Sequence, residues 1–300
     1  MNCIRICILL ILALNQAAAQ PTDQKLEKKL RAAIEGFQGK VGIYVKDLHS
    51  GKTVLINADT IFPTASIVKL PILVGVMDRL NRKELDYDSE HLFRDSLRYS
   101  DYDILGSFRD TTRIPLKKII MLMLTTSDNT ASLWLQALAG GGLRINQLLD
   151  SLGFSATRVN SRTPGRETYR RVYGWGQTTP AEAGRLIEMI YRNQLYTPAI
   201  CDRMMRCLGR NYWDENEAIS VIPPYVEVFS KNGCVDEVRS EVLLVNAPHR
   251  PYVFCVFTKN NKDTRWDRTN EAWTLARKLS AMLWHYFEPK DKWESPAGAN

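Results

Sequence analysis

The sequence predicts an α/β protein of the α+β kind: a five-stranded antiparallel sheet flanked by the terminal helices, with an all-α domain inserted into the chain. Short strand patterns occur near both ends of the 300-residue chain. Neither group can bury a face alone, so the two join into one sheet. Helix-period apolar spacing fills nearly everything between Ser66 and Arg210, and amphipathic patterns precede the first strand and follow the last. The α/β domain is therefore expected at 20–65 and 211–300 and the all-α domain at 66–210, with a cleft between them.

The amino end, MNCIRICILLILALNQAAAQ, carries Arg5, an apolar run from Ile6 to Leu14 and then Ala17 to Ala19. This pattern reads as a signal peptide over 1–19, cut near Ala19, which implies a secreted or periplasmic protein. The run is too short to cross about 30 Å of hydrocarbon as a helix, so no stable membrane anchor is expected. In DQKLEKKLRAAIEGF, Leu26, Leu30, Ala33 and Ile34 recur at helical spacing. VGIYVKD, HSGK and TVLINAD then read as strand, turn and strand, with Gly51 in the turn.

Within the helical block the firmest segments are Ile67–Leu80, Leu116–Leu124, Thr130–Ala139, Ile145–Leu152 and Pro180–Arg192. Thr179, Pro180 and Glu182 make a capping-box start for the last of these. Past Pro223 and Pro224 the period changes to strands in VEVFSK, VRSEVLLVN and YVFCVFTK, before a helix from about Arg268 to Phe287.

Composition narrows the function. With 45% apolar and 24% charged residues the chain is neither disordered nor polytopic. The net charge of +7 is scattered rather than gathered on one stripe, so no nucleic-acid partner is expected. Beyond the leader remain Cys201, Cys207, Cys234 and Cys255, too few for a disulfide scaffold, and Cys234 is expected to be an unpaired thiol. There is no HExxH or CxxC pattern among the dispersed His49, His91, His249 and His285. Neither a metal nor another cofactor is indicated.

Three motifs carry chemistry. Ser66-Ile67-Val68-Lys69 opens a helix, and i,i+3 spacing puts hydroxyl and amine on one face. The apolar neighbours favour a neutral amine able to take the serine proton. Pro71 sits awkwardly in this helix. Ser127-Asp128-Asn129 lies between two helices, where simple capping would also explain it. Lys231-Asn232-Gly233-Cys234 ends a strand, with a glycine that allows close backbone approach. Each motif alone is weak. An SxxK arises about once by chance in a chain of this length.

In this order, and in these structural contexts, the three resemble the SxxK, SDN and KTG elements of class A serine β-lactamases and their penicillin-binding relatives. FPTASIVKLPIL, LMLTTSDNTAS, LQALAGGG, LLDSLGF and the TTPAE helix start extend the likeness over essentially the whole mature chain. The resemblance implies a β-lactamase/transpeptidase-like fold and an acyl-enzyme mechanism. Ser66 would be the acylated nucleophile, Lys69 its base and Ser127 the proton relay to the leaving nitrogen. Lys231 would attract a substrate carboxylate, Asn129 would bind a substrate amide and Lys69, and the N–H groups of Ser66 and Cys234 would form the oxyanion hole.

The chain departs from the family's pattern in three places. The third motif reads KNG, so Asn232, beside Gly233, replaces the usual hydroxyl residue and is expected to donate to a substrate carboxylate. The stretch 157–167, laid on the family's omega loop without gaps, puts Thr163 where the family has its deacylating glutamate and Glu167 where it has an asparagine. Ser161 and Gly176 fall where an Arg–Asp pair usually ties that loop. A threonine cannot act as a carboxylate base, so Glu167 is the candidate replacement. Arg239, on the following strand, is the candidate second cation for the substrate carboxylate.

The sequence therefore implies an exported, monomeric serine hydrolase acylated by β-lactam amides and slow to hydrolyse the acyl-enzyme. The rivals are a D-alanyl peptidase or esterase, which would take a cell-wall D-alanyl peptide, and a penicillin-binding protein acylated without turnover.

Overall fold

The computed structural model describes residues 21–100, 102–209 and 211–294, so the expected signal peptide lies outside the described residues. Helix α1 (Gln24–Ala33) starts where the Asp23 carboxylate accepts the Leu26 N–H, and it leads into β1 (Lys40–Asp47) and β2 (Thr53–Ile56). Their partners come from the other end of the chain: β8 (Val228–Val235), β9 (Val238–Val245) and β10 (Tyr252–Lys259). The five strands form one antiparallel sheet, as expected, in the order β2-β1-β10-β9-β8.

Alternate residues of this sheet feed two cores. Ile43, Val45, Phe254 and Val256 pack against Leu26 and Leu30 of α1 and against Leu279, Leu283 and Trp284 of the closing helix α9 (Glu271–Phe287). Tyr44, Val242, Cys255 and Phe257 face the opposite core, which includes Ala183, Leu186 and Ile187 of α7 (Pro180–Tyr191). Gly184 lets α7 lie directly on the strands, since a Cβ there would stand 2.4 Å from the Tyr44 ring.

Between the two strand groups run β3 (Phe62–Pro63), α2 (Lys69–Asn81), β4 (Glu90–Leu92), β5 (Arg113–Pro115), α3 (Leu116–Thr125), α4 (Asn129–Leu138) and α5 (Gly141–Ser151). Then follow β6 (Arg158–Val159), α6 (Glu167–Tyr173), β7 (Gly176–Thr178), α7 and α8 (Pro198–Leu208). Residues 69–77 of α2 are buried on every side, so this helix is the axis of the second core.

Two local expectations change. The block from 66 to 210 is less uniformly helical than its apolar spacing suggests, because β4 pairs with β5, and β3, β7 and β6 form a small sheet. Strands of two or three residues are too short to declare a period. Pro71 is also accommodated: a 3₁₀ turn over Ala65–Val68 precedes α2, so the proline falls in the helix's first turn, where no intrahelical N–H bond is lost. Among the described residues no helix is long and apolar enough to cross a membrane.

Candidate active site

Ser66 lies in the 3₁₀ turn and Lys69 opens α2, one turn further on. Lys69 Nζ is 2.9 Å from Ser66 Oγ, 2.6 Å from the Ser127 carbonyl, 2.9 Å from Ser127 Oγ and 2.9 Å from Asn129 Oδ1. The amine is fully buried. Burial, with the nearby Lys231 charge second, drives its pKa well below the usual lysine value against the opposing pull of Asp103 and Asp128. A neutral amine at hydrogen-bond distance from a serine hydroxyl can accept its proton.

Two residues of the site carry backbone strain. Ala65 and Ser127 adopt positive φ, 42° and 59°, which non-glycine residues seldom do. At Ser127 the left-handed turn aims both carbonyl and hydroxyl at Lys69. Two carboxylates hold that turn against the start of α4. Asp128 accepts the N–H groups of Ala131 and Leu105. Asp103 accepts those of Asn129 and Thr130 and the Thr130 hydroxyl. Asp103 lies in a stretch without helical or strand period, and nothing in the sequence marks it.

The third motif lies on β8, an edge strand packed on the 3₁₀ turn. Gly233 permits this approach, because a Cβ would sit 2.4 Å from the Thr64 carbonyl oxygen and 2.9 Å from Ser66 N. The glycine thus serves contact between strand and nucleophile turn, rather than contact with a ligand. Lys231 is fully buried. Burial brings its pKa down to about 8, opposed by Cys234, Glu217, Asp214 and Glu241. Its ammonium donates to Asn232 O (2.8 Å) and Asn232 Oδ1 (3.0 Å).

A cavity of about 370 Å³ opens over Ser66, with Asn129 and Cys234 in its lining. Tyr99, Val172, Trp175, Val235 and Val238 give it an apolar wall, with the rings of Tyr99 and Trp175 edge to face at 5.0 Å. No carboxylate is present in that lining among the described residues. Nothing in the sequence marks the aromatic wall, because Trp175 belongs to the two-residue turn between α6 and β7, which carries no periodic signal.

Three expected site residues stand elsewhere. Glu167 is exposed at the start of α6, where its carboxylate accepts the Gly165 N–H at 3.1 Å, an N-terminal position that suits a carboxylate. It does not line the cavity. Arg239 is turned away from the cleft: its guanidinium donates to the carbonyls of Val235, Asp236, Val238 and Arg265 and stacks on Trp266 and Trp273. Arg239 does not line the cavity. Nor does Asn232, whose Nδ2 donates to Trp213 O (2.9 Å) and Glu217 Oε1 (3.0 Å).

Thr163 is buried, donates to the Ser161 carbonyl and packs on Gly142, where a Cβ would stand 1.8 Å from Thr163 Oγ1. In place of an ion pair, the loop is tied by Ser161 and Gln136, which exchange two hydrogen bonds, and by Arg166 bonded to Asn160 and Gln177. The four described cysteines, Cys234 included, are free thiols. Among the described residues no group of His, Cys, Asp and Glu could hold a metal ion.

A serine on a helix start, sharing hydrogen bonds with a buried lysine that also bonds a second serine, defines an active-serine, acyl-enzyme type of site. The chain belongs to the Beta-lactamase enzyme family, whose model matches residues 25–287. It is similar to Beta-lactamase VEB-1 of Pseudomonas aeruginosa, 20% identical over 93% of this chain and 96% of that protein. A Beta-lactamase of Streptomyces fradiae is 28% identical over 67% of this chain and 68% of its own. Among solved structures, PBP-A has the same fold with a TM-score of 0.79 at 22% identity, covering 90% of this chain and 98% of that one. TLA-1 extended spectrum Beta-lactamase gives 0.77 at 16% identity, covering 87% and 98%. A mutant of PBP-A is described as an acyl-enzyme complex with penicillin G. The protein is a serine β-lactamase-like hydrolase.

Proposed function

We propose that this is an exported serine hydrolase whose Ser66 is acylated by β-lactam amides and whose acyl-enzyme is hydrolysed slowly. As Ser66 Oγ bonds to the lactam carbonyl carbon, Lys69 Nζ takes the hydroxyl proton and the carbonyl π pair moves to oxygen. The N–H groups of Ser66 and Cys234 hold that oxyanion. Collapse of the intermediate breaks the C–N bond, and Ser127, 2.9 Å from Lys69 Nζ, passes a proton to the leaving nitrogen. Lys231 attracts the substrate carboxylate, and Asn129, its Oδ1 fixed by Lys69, offers its Nδ2 to the substrate amide.

The observation that carries this reading is the Ser66–Lys69–Ser127–Asn129 hydrogen-bond cluster. Slow deacylation is supported by the absence of a carboxylate from the cavity lining among the described residues. The same absence favours, as second reading, a penicillin-binding protein that is acylated without turnover. Export rests on the amino-terminal pattern alone.

Rapid mixing of the purified protein with a chromogenic cephalosporin tests this directly. The expected trace is a burst close to one equivalent of Ser66 followed by a slow steady state, absent in Ser66→Ala. A burst with no steady state selects the second reading. No colour and no protein adduct by mass spectrometry eliminates both.

A further inference from the structure

Polarity, more than size, explains why an asparagine stands in the third motif. Asn232 is buried between one donor-only group and two acceptor-only groups. On one side the Lys231 ammonium donates to its Oδ1; on the other its Nδ2 donates to the Trp213 carbonyl and to Glu217 Oε1. Only a side-chain amide can accept on one face and donate twice on the other, whereas a hydroxyl has one hydrogen to give. The arrangement also fixes the amide's orientation, since a flipped group would face acceptors with oxygen and the ammonium with NH₂.

Glu217 anchors the chain. Its Oε1 accepts from Asn232 and its Oε2 from the Asn216 N–H. Burial raises its pKa, and these bonds, with the Lys231 charge, favour the carboxylate form against it. The segment that carries it is held in turn: Arg277 donates to the Asn216 carbonyl and Arg268 to that of Glu215. Trp213 joins the same assembly to the second motif, because its indole donates to the Thr126 carbonyl, immediately before Ser127.

We propose that Glu217, acting through Asn232, is a positioning residue that holds the Lys231 ammonium at the carboxylate end of the cleft. This rests on the reading that Lys231 receives the substrate carboxylate. The buried ammonium is also faced by Asp214 from the same segment, by Glu241 across the sheet on β9, by the Cys234 thiol on its own strand and, with like charge, by Lys69 at the start of α2. Loss of the Glu217 charge removes one of the carboxylates that favour the charged lysine, so the pH at which Lys231 loses its proton must fall.

The test compares second-order acylation constants for penicillin G and its methyl ester across pH. Variants are Glu217→Gln, Glu217→Ala and Asn232→Asp, each checked for fold by near-UV circular dichroism. Wild type is expected to prefer the free acid. Glu217→Ala and Asn232→Asp are expected to lose about tenfold of that preference, the effect of a lost hydrogen bond to a charged group. Glu217→Gln still accepts from Asn232, so it keeps most of the preference while its alkaline limb moves to lower pH. A purely structural role would move neither the acid-to-ester ratio nor the pH limb. If Glu217→Ala keeps the wild-type ratio and pH profile, the positioning role is overturned while the reading of Lys231 stands. If wild type itself acylates both substrates equally, both fall.

Discussion

At the scale of single residues, the proposed mechanism gives the two buried lysines opposite charge states. In that mechanism acylation requires Lys69 without its proton and Lys231 with it. Burial lowers both pKa values, but Lys231 is compensated by Glu217, Asp214 and Glu241 and settles at about 8. The rate of acylation must therefore rise with pH as Lys69 deprotonates and fall above about pH 8 as Lys231 does. Because the two charges interact, the limbs belong to the pair. Stopped-flow acylation across pH checks this, and a rate still climbing well above the Lys231 limb would assign the base role to another group. The motifs made these residues legible in the sequence. Their supports were not, because Asp103, Trp213 and Glu217 act through bonds formed only when distant segments meet.

At the scale of elements, the proposed slow deacylation turns on the loop from β6 to β7. A gapless alignment makes Thr163 the natural place to restore a glutamate, yet its side chain is packed on the α5 backbone at Gly142. Thr163→Glu would force a carboxylate into that contact. It is expected to lower the melting temperature without shortening adduct lifetime. Val172, near the end of α6, is one of the residues that line the cavity. Val172→Glu is expected to shorten the penicillin adduct's lifetime by about tenfold or more, within the range for a general base. An unchanged lifetime, read by mass spectrometry, would place the hydrolytic water elsewhere.

The contact between β8 and the nucleophile turn is equally exacting. Gly233→Ala adds a Cβ within 2.4 Å of the Thr64 carbonyl oxygen and 2.9 Å of Ser66 N, so the strand must move off the turn. A shift of about 1 Å in a catalytic group costs about 10²-fold. Acylation should fall by that order while circular dichroism is retained; a wild-type rate would mean that the turn tolerates the displacement.

At the scale of the whole molecule, the sheet joins strands from 40–56 and 228–259 and is covered on both faces. This much was legible because each strand and long helix declares its own period, and because unpaired strand groups have only each other to join. What stayed hidden has a common cause: β3, β4, β5, β6 and β7 are too short for a period, and residues 93–100 and 102–112 are held by backbone turns and by side-chain bonds such as Asp95 N–H to Asp110. The architecture brings Ser66, Lys69, Ser127 and Asn129 into one hydrogen-bond cluster. The loop beside it gives no carboxylate to the cavity lining. That combination is the central claim, and one measurement tests it most directly. The protein is acylated with excess penicillin G, freed of unreacted drug, and followed by intact mass with peptide mapping. The adduct is expected on the peptide containing Ser66, with its decay much slower than its formation. An adduct on another peptide, or one that decays as fast as it forms, would contradict the account.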